Sequence, residues 1–124
     1  MAKTLNFSEQ DAFRVLDDAP EVVLDQADFG IIKMTRKGEV MHYNPYESAL
    51  AGIAPQDALG KNFFTQIAPC TNNFMVAARF MQEEEPVDET IPYVFTYKMT
   101  PTKVTLRLLA PRGEDHVYLL VKKE

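Results

Sequence analysis

Residues 93–100 read YVFTYKMT, and in this stretch the hydrophobic pattern takes a period of two. The large side chains are Tyr93, Phe95, Tyr97 and Met99, which alternate with Val94, Thr96, Lys98 and Thr100. Such alternation is typical of a strand with one buried face. Turn residues at 100–102 and 111–115 separate it from strand-like runs at 104–109 and 116–122. The C-terminal part of the chain therefore predicts three consecutive strands.

The sequence before these strands predicts a hairpin and then helices. Residues 29–35 and 39–43 form the hairpin, with Gly38 supplying the positive φ of its turn. Asn44 and Pro45 are a cap and a first helical residue, and Gly52 ends that helix. A brief helical turn at 55–60 and a longer helix over 74–84 follow, the latter with Val76, Ala77 and Phe80 facing inward. The order predicts an α+β domain on an antiparallel sheet of about five strands.

The N-terminal segment predicts two short helices. Residues 8–11, SEQD, resemble a capping box before a helix at 12–16, and Pro20 begins a second helix. Helices this short are unstable alone and must pack on something. We predict that residues 1–27 form a helical cap on the sheet and that residues 28–124 form the core of a single domain.

Composition limits the class of protein. The 124 residues are 46% hydrophobic, and no apolar run reaches the roughly 20 residues that a membrane helix needs. A net charge of −5 argues against nucleic-acid binding, which usually needs a basic surface. We see no secretory signal, and a single cysteine forms no internal disulfide. We expect a cytoplasmic protein without membrane insertion.

Motifs of common enzymes are absent from the sequence. There is no glycine-rich phosphate loop, no Gly-x-Ser-x-Gly elbow and no paired Cys/His spacing for a metal. His42 and His116 lie in strand-like segments, and we predict two surface histidines, His42 pointing away from Tyr43. We therefore expect neither a turnover enzyme nor a metal site.

The only cysteine, Cys70, lies in the segment GKNFFTQIAPCT, residues 60–71. Residues 71–73 offer cap residues, so Cys70 is predicted just before a helix start, where free backbone N–H groups favour a thiolate. Taken alone, a single cysteine is more often a buried packing residue. Both interpretations stay open from the residues themselves.

Tyr43 and Glu47 form a second candidate pair. Tyr43 ends a predicted strand and Glu47 lies in the first turn of the next helix, so both can point into one pocket. A phenol and a protonated carboxyl group can donate hydrogen bonds to a buried anion, and burial keeps a carboxyl protonated. A core tyrosine and a solvent-facing glutamate at a helix N-terminus explain the spacing equally well.

The chain resembles the photoactive yellow protein family. The resemblance rests on residues 60–64 (GKNFF), 68–71 (APCT) and 97–103 (YKMTPTK), with Phe29-Gly30 and the Tyr43-Asn44-x-x-Glu47 segment. The resemblance runs from about residue 28 to the C-terminus, with a difference in length near residues 83–89. It is weak over the first 27 residues. The family has the PAS fold, which agrees with the five-strand prediction.

The resemblance implies a blue-light receptor. Its pigment is 4-hydroxycinnamic acid (p-coumaric acid), bound as a thioester to Cys70, with the phenolate held by Tyr43 and Glu47. Light isomerises the pigment from trans to cis, Glu47 gives its proton to the phenolate, and partial unfolding that includes the N-terminal cap is the signal. The remaining binding residues that we predict are Ala51, Ile53, Phe63, Ile67, Ala68, Pro69, Phe95, Tyr97 and Met99. Ala51 and Ile53 replace the family's usual threonine and arginine, which predicts a retuned absorption band and photocycle.

Two other functions remain compatible with the residues. One is a PAS-type sensor of redox state or a small ligand that uses Cys70 without a pigment. The other is a PAS interaction domain whose Cys70 is only buried. A photoreceptor also needs a downstream signalling protein, which the sequence does not name.

Overall fold

The computed structural model describes residues 5–82, 84–96 and 101–124. Its centre is an antiparallel sheet of five strands in the order β2-β1-β5-β4-β3. The strands are β1 (Gly30–Thr35), β2 (Val40–Tyr43), β3 (Val87–Phe95), β4 (Thr102–Ala110) and β5 (His116–Lys123). The N-terminal hairpin thus joins the sheet through β5, at the end of the chain. The predicted α+β class is confirmed.

Among the described residues, five α-helices, a π-helical turn and a 3-10 turn surround the sheet. The helices are α1 (Ala12–Asp18), α2 (Glu21–Asp25), α3 (Pro45–Ala51), α4 (Pro55–Ala58) and α5 (Ala77–Met81). A π-helical turn, Phe63–Ile67, and a 3-10 turn, Pro69–Thr71, lie between α4 and α5. The β1–β2 turn has Gly38 at φ 105°, as predicted. A bulge follows Lys33 in the same hairpin.

Both faces of the sheet are buried because side chains alternate along each strand. On one face, Ile32, Leu106 and Leu119 belong to a cluster that includes residues of α3 to α5. On the other, Ile31, Leu109 and Leu120 pack with residues of α1, α2 and the segment before them. Each fully buried large apolar side chain contributes about 1.5–3 kcal/mol to folding. The first face holds the candidate site and the second carries the N-terminal helices.

The predicted capping box is wrong. Asp11, the residue before α1, has a left-handed backbone with φ 54° and makes no side-chain cap hydrogen bond. The side chain of Asn6 instead accepts a hydrogen bond from the backbone N–H of Ser8 at 2.9 Å. Residues 8–11 have the composition of a capping box, but they lie in a turn before α1 and do not cap its first turn.

The predicted helix over 74–84 is too long. Of the described residues in this range, only Ala77–Met81 are α-helical, and Phe74 is 90% exposed. The cause is Asn73, whose side-chain oxygen accepts from the N–H groups of Met75 and Val76 and holds a turn there. Ala77 and Phe80 are nevertheless buried, as predicted. The strand predicted at residue 93 begins earlier, at Val87.

Candidate functional site

Tyr43 and Glu47 are both buried at the junction of β2 and α3. Tyr43 is the last residue of β2 and is 2% exposed, while Glu47 lies in the first turn of α3 and is fully buried. Pro45 fixes the first helical φ, and Gly52 ends α3 with φ 74°. The solvent-facing alternative for Glu47 is therefore wrong for this structure. A carboxyl group removed from water is driven towards its neutral form.

Asn44 holds this junction together from inside the protein. Its side-chain oxygen accepts from the backbone N–H of Glu47 (3.2 Å) and of Ile31 (2.9 Å). Its side-chain nitrogen donates to the carbonyls of Leu24 and Phe29, both at 3.0 Å. One fully buried amide thus joins α3 to β1 and to α2, and it fixes the backbone from which Glu47 projects.

Gly30 lies directly against the carboxyl group of Glu47. A Cβ atom at residue 30 would be 3.2 Å from Cβ of Glu47 and would overlap its Oε1. Only glycine therefore leaves room for the buried carboxyl at this point of β1. The strand and the helix confine Glu47 from two sides.

Cys70 lies in the middle of the 3-10 turn Pro69–Thr71 and is half-buried. It packs against the buried cluster that contains Tyr43 and Phe95. The prediction that Cys70 precedes a helix start is wrong, because α5 begins only at Ala77. A helix N-terminus therefore does not explain any reactivity of this thiol.

The other predicted site residues fall into three groups. Those in the buried cluster with Tyr43 are Ala51, Phe63, Ile67, Ala68 and Phe95. Ile53 is half-buried and packs against the cluster, as Cys70 does, whereas Pro69 is exposed. Tyr97 and Met99 lie outside the described residues. The structure thus brings seven of these positions, Cys70 among them, to one side of the sheet.

Known proteins share this arrangement of sheet and helices. A family profile described as PAS fold matches residues 19–118. A photoactive yellow protein from Rhodothalassium salexigens is 33% identical over 121 residues, 96% of this chain and 97% of that protein. The chain belongs to the photoactive yellow protein family. Another family member, from Halochromatium salexigens, is 31% identical over 121 residues, again 96% of this chain and 97% of that protein.

A solved structure agrees with this membership. It is the photoactive yellow protein domain of the sensor histidine kinase Ppr from Rhodospirillum centenum. The TM-score is 0.80 at 31% identity, with 89% of this chain and 98% of that chain covered. The predicted PAS fold and the predicted family are both confirmed.

The two departures from the usual residues of the photoactive yellow protein family lie at the cluster. Ala51, at the end of α3, is 4% exposed and has no side-chain hydroxyl to donate. Ile53 packs on the cluster with an aliphatic side chain where an arginine would bring charge. The backbone carbonyl of Ile53 accepts from the hydroxyl of Ser48 at 2.6 Å, which holds the turn after α3.

The histidines attach the N-terminal helices to the sheet. His42 Nε2 lies 3.0 Å from Asp25 Oδ1, and His116 Nε2 lies 2.8 Å from Asp17 Oδ1. Their side chains are only 14% and 13% exposed, so the prediction of two surface histidines is wrong. His42 does point away from Tyr43, but α2 covers that face of the sheet.

Further polar contacts hold the same segment. Tyr118 Oη donates to Asp17 at 2.5 Å, and burial, with this carboxylate nearby, raises the pKa of Tyr118. Arg107 donates to the carbonyls of Phe7 and Glu9, both at 2.9 Å, and forms a two-pronged ion pair with Asp88. Local sequence patterns could not predict these contacts, because each joins residues 19 or more positions apart.

One group of side chains in the described part of the chain could offer metal ligands, namely Glu114, Asp115 and His116. Both ring nitrogens of His116 already contact carboxylates, Nδ1 to Asp115 at 3.1 Å and Nε2 to Asp17. The hydrogen bond from His116 lowers the pKa of Asp115. Because His116 contacts Asp17 of α1, we interpret these side chains as part of the attachment of α1 to the sheet. No helix among the described residues has the length and hydropathy to cross a membrane.

Proposed function

We propose that this protein is a blue-light receptor that carries 4-hydroxycinnamic acid as a thioester on Cys70. Membership of the photoactive yellow protein family supports a light sensor, and Cys70 is the only cysteine of the chain. The observation that carries the proposal is the fully buried carboxyl group of Glu47 beside the end of β2. A glutamate at this depth is costly for folding and suits a function that needs a buried proton donor.

The residues of the site fit a buried phenolate. The phenol of Tyr43 and a protonated carboxyl of Glu47 can each donate a hydrogen bond to an anionic oxygen, and such charge-assisted bonds are strong. Phe63, Ile67 and Phe95 are buried and apolar, so they would exclude water from the pigment. Because Gly30 has no side chain, the Glu47 carboxyl can lie directly against β1.

The attachment needs an activated form of the acid. The Cys70 thiol loses its proton, its sulfur forms a bond to the acyl carbon, and the activating group leaves with the bonding electrons. Cys70 is half-buried and packs against the buried cluster, so it lies between that cluster and the surface.

When bound, the pigment would supply absorption of blue light and isomerisation of its double bond. Glu47 would hold the proton that passes to the phenolate oxygen, and after that transfer Glu47 would be a buried carboxylate. An uncompensated buried charge costs several kcal/mol, enough to rearrange the surrounding structure. Asn44 bonds both to the N–H of Glu47 and to the carbonyl of Leu24, so a shift of Glu47 acts on α2.

We propose that the N-terminal segment, residues 1–27, acts as a cap on the core of residues 28–124 and loosens as the signal. Its described contacts include an apolar cluster, the hydrogen bond from Asn44 to Leu24, and polar links through Asp17, Asp25 and Arg107. Elements held by few contacts open most readily. Their release would expose the outer face of the sheet, including Ile31 and Leu120.

In this proposal the protein is a cytoplasmic receptor and not a turnover enzyme. Its partners are the small-molecule pigment and a downstream signalling protein that recognises the loosened cap. The solved relative from Rhodospirillum centenum is a domain of a sensor histidine kinase, which supports a signalling role. A net charge of −5 disfavours nucleic acid as the partner.

Incubation with activated p-coumaric acid tests the proposal. We expect one coumaroyl adduct by intact mass and a visible band that bleaches under blue light and recovers in the dark. Cys70→Ala should lose both, while folding as judged by circular dichroism stays intact. Folded wild-type protein without an adduct would refute the proposal and favour the redox or small-ligand sensor.

A further inference from the structure

The backbone carbonyl of Cys70 accepts two side-chain hydrogen bonds. Tyr93 Oη donates to it at 2.5 Å, and Asn73 Nδ2 donates at 3.1 Å. Asn73 Nδ2 also lies 2.6 Å from Tyr93 Oη, so the two donors are linked to each other. Both lone pairs of this carbonyl are therefore used.

The carbonyl two residues earlier is held in the same way. Ala68 O accepts from the backbone N–H of Thr71 at 2.9 Å and from the Thr71 hydroxyl at 2.7 Å. Thr71 is fully buried. The turn is thus fixed on both sides of Cys70, which leaves rotation about the bonds of its own side chain as the main freedom of the sulfur.

The two donors tie the turn to different parts of the fold. Tyr93 lies on the edge strand β3, and its ring packs edge-on against Phe95 with centroids 5.9 Å apart. Asn73 Oδ1 accepts from the N–H groups of Met75 and Val76, in the segment that leads to α5. A movement of the Cys70 peptide therefore displaces either β3 or this segment.

We propose that Asn73 and Tyr93 are positioning residues for the Cys70 thioester, which set how freely the sulfur moves. This inference rests on the proposed function, because it assigns a role to two residues at that same site. The held peptide keeps the sulfur directed towards the buried cluster during the light cycle. Loss of either donor lets the turn open towards solvent, so the thiol becomes more reactive and the dark recovery changes.

The pigment-free protein provides the first test. The rate of Cys70 alkylation by iodoacetamide is measured for wild type, Tyr93→Phe and Asn73→Asp. Tyr93→Phe removes only the hydroxyl, and Asn73→Asp keeps the oxygens that Met75 and Val76 use but removes the donor. Loss of one hydrogen bond, about 1 kcal/mol, corresponds to about a fivefold change, so we expect alkylation of Tyr93→Phe to be about fivefold faster than that of wild type. Alkylation of Asn73→Asp should also be faster than that of wild type.

Tyr46→Phe is the matched control. Tyr46 Oη accepts from the backbone N–H of Lys123 at 3.1 Å, so the variant also loses one tyrosine hydrogen bond, but outside the turn. Its alkylation rate should equal that of wild type. Urea midpoints of all variants identify any increase that comes from global unfolding. Wild-type rates in both Tyr93→Phe and Asn73→Asp would overturn the inference.

The loaded protein provides a second readout, which a purely structural role would not affect. With pigment attached, Tyr93→Phe should shift the visible band and change the dark-recovery rate severalfold, whereas Tyr46→Phe should leave both unchanged. If wild type takes no pigment, the proposed function fails, and the alkylation rates still decide whether the turn is held. If wild type loads and cycles, and Tyr93→Phe matches it in alkylation, band and recovery, the positioning role fails and the proposed function stands.

Discussion

Replacing Asn44 with alanine should lower the free energy of unfolding by about 4 kcal/mol, because four buried hydrogen bonds at about 1 kcal/mol each are lost. These bonds run to Leu24, Phe29, Ile31 and Glu47 at 2.9–3.2 Å, and Asn44 itself is fully buried. Their backbone partners would remain in the protein without the amide. The loss is a large share of the about 5–15 kcal/mol that stabilises a domain.

Urea unfolding followed by circular dichroism measures the change, and amide hydrogen exchange locates it. The backbone N–H of Ile31 donates to Asn44, so its protection should fall more than that of neighbouring strand amides. Asn62→Ala is the matched control, because that amide caps the π-helical turn from a partly exposed position. Asn62 makes three side-chain hydrogen bonds, to Lys37, Phe64 and Thr65, but they lie near the surface, where water can replace them. The cost of Asn62→Ala should therefore be about 1 kcal/mol, as for an ordinary helix cap.

A loss below about 1.5 kcal/mol for Asn44→Ala, little more than a single net hydrogen bond, would refute the reasoning. It would mean that water or a local shift replaces the amide and that α2, β1 and α3 are not joined through it. An equal loss for Asn44→Ala and Asn62→Ala would contradict the role of burial in the same way.

Three further predictions concern the pocket and the cap. Ala51→Thr in the loaded protein should change the visible band and the recovery rate because it restores a hydroxyl near the pocket; no change in either would remove Ala51 as a tuning position. The raised pKa of Tyr118 means that this phenol ionises in the unfolded chain first, so stability should fall as pH rises above about 10. Tyr118→Phe should reduce that decline in the urea midpoint between neutral and alkaline pH, whereas an unchanged decline contradicts the assignment. Arg107→Lys should speed amide exchange in the N-terminal segment and cost about 1–2 kcal/mol, since lysine cannot hold several acceptors at once; wild-type exchange would rule out this link.

The strands were predictable because their signals are local. Period-two alternation indicated a strand from Tyr93, the end of which lies outside the described residues, and turn residues marked the starts of β4 and β5. Gly38 indicated the hairpin turn. The buried pair at the start of α3 could be proposed from the order of strand end, cap and first turn. Its burial could not, since that depends on contacts with β1 and α2 that lie elsewhere in the sequence.

The failures have physical causes of the same kind. Asn73 is a good cap by composition, but its side chain bonds within a turn and to Tyr93, so the helix starts at Ala77. His42 and His116 are polar residues in strands, which favours a solvent-facing position, yet the N-terminal helices cover them. Local patterns cannot show which distant segment will occupy the second face of a sheet.

The infrared difference spectrum between light and dark states of the loaded protein tests the central claim most directly. If Glu47 is the buried proton donor, light should remove the carbonyl band of a protonated carboxyl group in wild type. Glu47→Gln should retain the pigment but show no such loss. The account would be contradicted if Glu47→Gln still lost the carbonyl band in the light. It would also be contradicted if wild-type protein bleached and recovered without losing that band.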